Sequence, residues 1–245
     1  MLLFYVRHGD PIYSPDDLTP LGLRQAEAIG RRLYRYGVDE VYSSNLVRAQ
    51  RTAQPTCELC KKELKILPWT SENEAWRQLS LPRENGKGHT WFFAIPEYRD
   101  LLLSKEVREM GDNWFDHPAF EGTMIKEGYL RIRNETRAFL AELGFAWDDE
   151  KGQYINLHYG ENNGAPEKRI ALFAHHGFGT GFLSNVLNIP YPEVCIKMNI
   201  THTGLTVFRF DENRPYTPAQ MLTLSSDGHL LADNLPLNYD NLVRF

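Results

Sequence analysis

Two histidines follow short apolar segments of the same pattern, and their placement is the first sign of chemistry in the sequence. Residues 2–6 are continuously apolar and lead to His8, and residues 170–174 lead in the same way to His175. Uninterrupted apolar runs of this length are typical of strands buried on both faces of a parallel sheet. Ligands of open α/β sheets bind beyond the carboxyl ends of the strands, so we expect both histidines to face one crevice.

Two arginines and a carboxylate are expected at the same edge. Arg7 directly precedes His8, and Arg48 opens the helix predicted after the second strand. The N-terminus of that helix also contributes backbone N–H groups that suit an anion. Glu72 and Glu74 both follow the third predicted strand, so an acid reaches this edge as well. The predicted cluster therefore combines imidazole, guanidinium and carboxyl groups.

This combination of side chains suits phosphoryl transfer. A neutral imidazole can attack phosphorus and hold the group as phosphohistidine, which divides one difficult step into two. Arginines neutralise phosphoryl oxygens and bind them in a bidentate manner. A carboxylic acid can protonate the leaving oxygen and then activate water, and a protonated second histidine can stabilise the transition state. The scheme requires no metal ion and no other cofactor.

The elements that position these residues begin in the order β-α-β-α-β, which predicts an α/β fold with a mainly parallel sheet and helices on both faces. Thr19 and Pro20 mark a helix start, and Gly37 marks its end. A tail from residue 211 adds edge structure around residues 222–224. The predicted core elements are strand 2–6, helix 20–36, strand 38–43, helix 46–62, strand 64–67, strand 169–174, helix 178–187 and strand 205–210.

A long insertion, from about residue 74 to residue 165, interrupts this core. We predict helices over residues 96–110 and 127–143, and a loop or small hairpin over residues 154–167. Its aromatic residues allow two interpretations, a lid over the leaving group of a substrate or a small core of the insertion itself. We favour the core for most of them, because aromatic side chains dominate burial. These residues are Trp76, Trp91, Phe92, Phe93, Trp114 and Phe115.

Length and composition fit one soluble domain over residues 1–245, with the insertion as its cap. The chain has 245 residues and a net charge of −5, so it lacks the basic character expected of a nucleic-acid-binding protein. No apolar run approaches the ~20 residues of a membrane helix. Three cysteines, Cys57, Cys60 and Cys195, are too few for a disulfide scaffold. We therefore expect a cytoplasmic protein that does not bind membranes.

Four segments resemble motifs of the histidine phosphatase superfamily, which has the phosphoglycerate mutase-like fold. They are residues 4–9 (FYVRHG), 18–26 (LTPLGLRQA), 43–53 (SSNLVRAQRTA) and 174–177 (AHHG). The segments occur in family order, and the resemblance covers roughly residues 1–75 and 168–210. It implies that His8 is the phosphorylated nucleophile, and that Arg7, Arg48 and the second histidine bind the phosphoryl group. It also implies that a glutamate after the third strand donates the proton.

The resemblance leaves alternatives at two positions. The spacing to the next proline favours His175 over His176 as the second histidine. Glu72 follows the third strand sooner than Glu74 and is favoured as the proton donor. His202, in the polar segment before the last core strand, is a weaker candidate for the border of the site.

The residues that follow two of the motifs favour hydrolysis over isomerisation. Mutases of the superfamily continue the first motif with Glu-Ser, whereas this chain has Asp10-Pro11. Trp76-Arg77-Gln78 follows the acid in place of a Tyr-Gly motif. We therefore expect a metal-independent, acid-type histidine phosphatase that acts on a small phosphomonoester and releases inorganic phosphate. The alternatives are a phosphoglycerate mutase-type isomerase and a non-catalytic module that binds a phosphorylated ligand.

Overall fold

A computed structural model describes residues 1–83, 86–161 and 166–237. No helix in these ranges is both long and apolar enough to cross a lipid bilayer. The strands are β1 (Leu2–Arg7), β2 (Pro11–Tyr13), β3 (Asp16–Leu18), β4 (Glu40–Ser43), β5 (Leu64–Ile66), β6 (Ser80–Pro82), β7 (His89–Trp91), β8 (Phe145–Asp148), β9 (Gln153–Asn156), β10 (Arg169–Ala174), β11 (Leu205–Arg209), β12 (Tyr216–Thr217) and β13 (Gln220–Ser226). The α-helices are α1 (Pro20–Tyr36), α2 (Val47–Cys60), α3 (Glu72–Leu79), α4 (Pro96–Leu103), α5 (Lys105–Met110), α6 (Ile125–Glu142), α7 (His176–Leu187), α8 (Tyr191–Lys197) and α9 (Gly228–Ala232).

The central sheet has the strand order β13-β11-β1-β10-β4-β5. Strands β1, β10, β4 and β5 pair in parallel. Strand β11 is antiparallel to β1, and β13 is antiparallel to β11, so β13 runs in the direction of β1. The predicted α/β fold with a mainly parallel sheet is confirmed. The carboxyl end of β1, those of its parallel neighbours and the amino end of β11 all meet at one edge of the sheet.

The apolar run of β1 is buried on both faces of the sheet, as its pattern predicts. Leu3 and Tyr5 belong to the buried cluster that includes side chains of α6 and α7. Phe4 and Val6 point the other way and belong to the cluster that includes side chains of α1 and α2. Because successive side chains of a strand face opposite sides, one short strand anchors helices on both faces.

Helix α1 has the predicted boundaries, and local interactions explain both of them. The hydroxyl of Thr19 accepts a hydrogen bond of 3.0 Å from the N–H of Gly22, and Pro20 occupies the first helical position. Gly37 ends the helix with φ of +74°, a left-handed conformation that favours glycine. The β2–β3 hairpin that precedes this helix has no alternating pattern and is not predicted by the sequence.

The insertion and α7 depart from the prediction in three places. The helix predicted over residues 96–110 is two helices, because Ser104 caps α5 by accepting a hydrogen bond from the N–H of Val107. The sequence predicts a loop or small hairpin over residues 154–167. The hairpin forms earlier, from β8 and β9, residues 157–161 form turns, and residues 162–165 lie outside the described chain. Helix α7 begins at His176 rather than at residue 178.

Most aromatic side chains of the insertion form a buried core, which was the favoured interpretation. Phe92 and Trp114 are fully buried, their rings are stacked, and they belong to the same cluster as Leu3 and Tyr5 of β1. Trp76 differs, because 38% of its surface is exposed. The cap and the sheet therefore share apolar contacts, while the single domain over residues 1–245 stays a prediction.

Candidate active site

His8 lies directly beyond the carboxyl end of β1 and is almost completely buried. Its Nδ1 lies 2.7 Å from the carbonyl oxygen of Gly9. Since a carbonyl oxygen only accepts, Nδ1 carries the proton and Nε2 keeps a free lone pair. Gly9 is required for this turn, because a Cβ at that position would lie 2.7 Å from the carbonyl oxygen of Gly22. The loop thus presents a neutral imidazole whose Nε2 is suited to nucleophilic attack.

The surroundings of His8 keep its ring neutral. Burial lowers the pKa of His8 well below the ordinary 6.5, and electrostatic interactions with His175 and then with Arg7 lower it further. A protonated imidazole has no lone pair for attack, so this environment favours the nucleophilic form.

His175 lies beyond the end of β10, beside His8. It is fully buried, and its ring centroid is 5.2 Å from that of His8. Its Nε2 lies 2.7 Å from the hydroxyl of Ser44, which follows β4. Its Nδ1 is buried and has no hydrogen-bond partner among the described residues. Burial, Arg48 and Arg7 lower the pKa of His175, so it is neutral here, whereas the sequence led us to expect a protonated second histidine.

His176, the alternative second histidine, is the first residue of α7. Its Nδ1 is buried and has no hydrogen-bond partner among the described residues. Burial lowers the pKa of His176 to about 3. Of the two candidates, the ring of His175 lies beside that of His8, and the geometry favours it.

Both predicted arginines reach this region, and each already has a partner. Arg7 is buried and donates from Nη1 to the carbonyl oxygen of Ile200 at 2.7 Å. Arg48 donates from Nη1 to Oδ1 of Asp16 at 2.6 Å. The other carboxylate oxygen of Asp16 accepts from the N–H of Val47, at the start of α2. The sequence predicts a phosphoryl ligand at Arg48, and the structure holds a carboxylate of the β2–β3 hairpin against it.

Glu72 is the first residue of α3, and its carboxylate lies at the N-terminus of α7. It accepts hydrogen bonds from the backbone N–H groups of Gly177 at 2.9 Å and Phe178 at 2.7 Å. Burial raises the pKa of Glu72, and this effect exceeds the lowering by the two N–H groups and by Arg48 and Arg7. A raised pKa favours the protonated acid that a proton donor requires.

Glu74, the alternative acid, points away from this cluster. Its side chain is 47% exposed and pairs with Arg77 at 2.7 Å. The hydrogen bond from Arg77 lowers the pKa of Glu74, which favours the ionised form. The structure therefore brings Glu72, and not Glu74, into the group of predicted site residues.

Two tryptophans of the cap meet near the N-terminus of α7. The ring of Trp91 packs on Gly177, where a Cβ would lie 2.2 Å from the indole. Trp76 is four residues after Glu72 in α3 and therefore lies on the same helix face. The two indole rings meet edge to face with centroids 4.9 Å apart. The lid stays a prediction for these two positions.

Two side chains close to His8 or Arg48 have little signal in the sequence. Asp16 lies in a short hairpin without regular alternation, and nothing in its pattern indicates contact with Arg48. His202 precedes β11, and its ring centroid is 5.5 Å from that of His8. It reaches the site because β11 is antiparallel to β1, so that its amino end meets the carboxyl end of β1. The sequence placed His202 only at the border, since it does not reveal the direction of β11.

The fold and the site define a class of α/β proteins in which histidine, arginine and glutamate side chains meet at one sheet edge. The family model described as "Histidine phosphatase superfamily (branch 1)" matches residues 3–93, which include His8, Arg48 and Glu72. Residues 3–93 are thus similar to the histidine phosphatase superfamily.

Curated relatives carry names of two activities. "Putative phosphoserine phosphatase 2" of Hydrogenobacter thermophilus is 27% identical over 150 residues, which cover 58% of this chain and 66% of that protein. "Probable phosphoglycerate mutase GpmB" of Yersinia enterocolitica is 26% identical over 145 residues, which cover 48% of this chain and 64% of that protein. The chain thus spans just under two thirds of the length of these relatives.

Solved structures share the fold over nearly the whole chain. Phosphoserine phosphatase from Entamoeba histolytica, in complex with 3-phosphoglyceric acid, has a TM-score of 0.58 and 19% identity and covers 94% of this chain and 98% of its own. A mycobacterial glucosyl-3-phosphoglycerate phosphatase in complex with VO3 has a TM-score of 0.59 and 18% identity, with coverages of 92% and 99%. At these identities the likeness establishes the fold.

Proposed function

We propose that this protein is a phosphatase that hydrolyses a small phosphomonoester through a phosphohistidine on His8. The hydrogen bond between Nδ1 of His8 and the carbonyl oxygen of Gly9 is the observation that carries the proposal. It fixes the tautomer that leaves Nε2 free for attack, and burial keeps this ring neutral.

The first step forms the phosphoenzyme. Nε2 of His8 attacks phosphorus, the bond between phosphorus and the ester oxygen breaks, and Glu72 transfers its proton to the leaving oxygen. The raised pKa of Glu72 supports this role.

The second step reverses the role of the acid. Glu72, now a carboxylate, takes a proton from water as the water oxygen attacks the phosphohistidine. The bond between phosphorus and nitrogen breaks, the electron pair returns to Nε2 of His8, and inorganic phosphate leaves. Atoms and charge balance without a metal ion or another reactant.

Arg7, Arg48 and His175 serve in this scheme as ligands of the phosphoryl oxygens. The guanidinium groups neutralise charge, and the unpartnered Nδ1 of His175 donates to an oxygen once the ring is protonated. Nη1 of Arg48 donates to the carboxylate of Asp16, whereas its buried Nε has no hydrogen-bond partner among the described residues. The phosphoryl group therefore shares the guanidinium with Asp16, and the two anions compete for its positive charge.

The names of the relatives support a small phosphorylated substrate, and they leave a mutase as an alternative to the phosphatase. The phosphatase names among them fit release of inorganic phosphate. The resemblance to a phosphoglycerate mutase supports a phosphoryl isomerase as the second candidate. A module that only binds a phosphorylated ligand has no use for a buried acid with a raised pKa, such as Glu72. We further propose the metal-independent acid type and a cytoplasmic location, the latter on the few cysteines.

The test compares phosphate release from an aryl phosphate by the wild-type protein and by His8→Ala. We expect turnover by the wild-type protein and its loss in the variant. His158→Ala is a matched control, because His158 is an exposed histidine that pairs with Glu161. Interconversion of phosphoglycerates without net phosphate release would favour the mutase instead, and full activity of His8→Ala would refute the mechanism.

A further inference from the structure

A third histidine lies against the nucleophile, on the side opposite to the strand that carries His175. His202 is 3% exposed, and its ring is tilted by 36° against that of His8 at a centroid distance of 5.5 Å. Strand β1 lies between β10, which leads to His175, and β11, which follows His202. His8 is therefore flanked by one histidine from each neighbouring strand.

The backbone that carries His202 is held firmly against the nucleophile loop. The N–H of Thr203 donates to the carbonyl oxygens of Arg7 at 3.0 Å and His8 at 3.3 Å. Thr203 has φ of +54°, which is unusual for a β-branched residue and persists only where the surroundings enforce it. Its hydroxyl lies 3.0 Å from Nε2 of His229, so α9 also holds the backbone next to His202 in place. Such strain is often found where a neighbouring side chain has to be aimed.

The two ring nitrogens of His202 have different surroundings. Nδ1 lies 3.7 Å from Oδ1 of Asp10, whose other carboxylate oxygen accepts a hydrogen bond of 2.7 Å from the hydroxyl of Thr19. Nε2 is buried and has no hydrogen-bond partner among the described residues. A buried nitrogen without a partner is costly, and such groups in native proteins call for an explanation such as a ligand.

We propose that Nε2 of His202 binds an oxygen of the phosphoryl group held at His8, while Asp10 stabilises the proton on Nδ1. The ligand chemistry is that of a phosphate dianion, and the inference rests on the proposed phosphatase function. It adds a third imidazole to the site and assigns a role to Asp10, which follows the first motif.

Binding of the dianion changes the protonation of His202. Burial lowers the pKa of His202, and electrostatic interactions with Arg7 and then with His176 lower it further, so the ring is neutral in the unliganded protein. Asp10 is the anionic group that faces the ring, and the neutral His8 lies beside it. A phosphate dianion adds negative charge at the same place and favours the imidazolium, which donates from both nitrogens. Phosphate binding is therefore accompanied by proton uptake.

The first experiment measures the affinity for inorganic phosphate by calorimetry in the wild-type protein, His202→Phe, His202→Gln and His229→Gln. We expect His202→Phe, which keeps a ring but loses both nitrogens, to raise Kd about tenfold or more, as for loss of a hydrogen bond to a charged group. His202→Gln keeps an amide donor and recovers part of the affinity. The control His229→Gln, which touches the same segment from behind, changes Kd less than about threefold. Equal losses in the His202→Phe and His229→Gln variants would overturn the proposal.

The second experiment uses only the wild-type protein, so its result does not depend on whether a variant folds. Nitrogen NMR of the histidine rings in the wild-type protein follows His202 as phosphate is added near neutral pH. We expect one protonated ring nitrogen without phosphate and two with saturating phosphate. An unchanged His202 spectrum in a protein that binds phosphate would refute this inference alone. A wild-type protein that neither binds phosphate nor hydrolyses an aryl phosphate would refute the proposed function as well.

Discussion

Glu72→Gln is the substitution that separates acid catalysis from simple binding of phosphate. The variant keeps the size of the side chain and removes the proton that the leaving oxygen needs. General acid catalysis contributes about 10²–10⁴-fold in rate, equivalent to about 3–5 kcal/mol at ~1.4 kcal/mol per factor of ten. We expect a loss of this size in kcat/KM, which reports formation of the phosphoenzyme, for an alkyl phosphate, whose leaving group is strongly basic. p-Nitrophenyl phosphate releases p-nitrophenolate, a stable anion, so its loss in kcat/KM is about tenfold or less, while kcat falls for both substrates because Glu72 also activates water.

The structure also sets a stability cost for this variant. The carboxylate of Glu72 accepts two backbone N–H groups, those of Gly177 and Phe178. A glutamine has one acceptor oxygen and turns an NH₂ group towards the other N–H. The unsatisfied donor costs about 1–3 kcal/mol of the free energy of unfolding, seen as a lower Tm. Glu74→Gln, on the exposed side of the same helix, is the matched control and changes neither rate nor Tm appreciably.

The dependence of the rate on pH gives the decisive assay. Because burial raises the pKa of Glu72, the acid stays protonated to higher pH than an ordinary glutamic acid, and kcat/KM falls as pH rises through that pKa. Glu72→Gln has no proton to lose at this position, so its profile lacks that fall, while ionisation of the substrate affects both proteins alike. Equal losses in kcat/KM for alkyl and aryl phosphates, with an unchanged pH profile, would refute the assignment of Glu72.

Three further perturbations follow from the same contacts. The pKa values of His8 and His175 lie below 6.5 in the folded protein, so the unfolded chain binds more protons at acid pH. The free energy of unfolding therefore decreases as the pH is lowered from 7 to 5, by up to ~1.4 kcal/mol per pH unit for each histidine. Denaturant titrations at each pH measure this decrease. Asp16→Asn releases Arg48 and strengthens phosphate binding about fivefold by calorimetry, the equivalent of ~1 kcal/mol for a partly exposed pair. Gly177→Ala places a Cβ 2.2 Å from the indole packed on it, lowers kcat/KM by about tenfold or more and costs about 1–3 kcal/mol in chemical unfolding.

The two substitutions have matched control variants, and the pH dependence has an outcome that would contradict it. Asp17 lies in the same hairpin as Asp16 and pairs with Arg51 of α2. Asp17→Asn breaks this pair and leaves phosphate affinity unchanged. Gly228→Ala adds a Cβ where no atom lies within 4 Å and leaves rate and stability unchanged. Stability that is flat or rises from pH 7 to pH 5 would contradict the neutral state of the buried histidines.

The elements that depend on local pattern are those that the sequence predicts well. The apolar run of β1 matches its burial on both faces, and Thr19 and Gly37 mark the ends of α1 through their own hydrogen bond and backbone conformation. The position of His8 follows from such a strand end. Ser104 divides a predicted helix because its side chain caps α5, and this local hydrogen bond replaces continued helix. Hydrophobic periodicity carries no information about such a cap.

The parts of the candidate site that the sequence does not predict depend on pairing between distant segments of the chain. Asp16 meets Arg48 only because a short hairpin folds back on α2, and this contact spans thirty-two residues of sequence. His202 reaches His8 only because β11 is antiparallel to β1. Neither the direction of a strand nor the docking of a short hairpin leaves a periodic signal in the sequence.

Trapping of the phosphoenzyme tests the central claim most directly. The wild-type protein is mixed with an excess of aryl phosphate and denatured within one turnover, and the phosphorylated residue is located by mass spectrometry under conditions that preserve phosphohistidine. We predict an acid-labile phosphoryl group on the peptide that contains His8, attached through Nε2 and absent from His8→Ala. Turnover with the phosphoryl group on another residue, or with none on any residue under these conditions, would contradict the account.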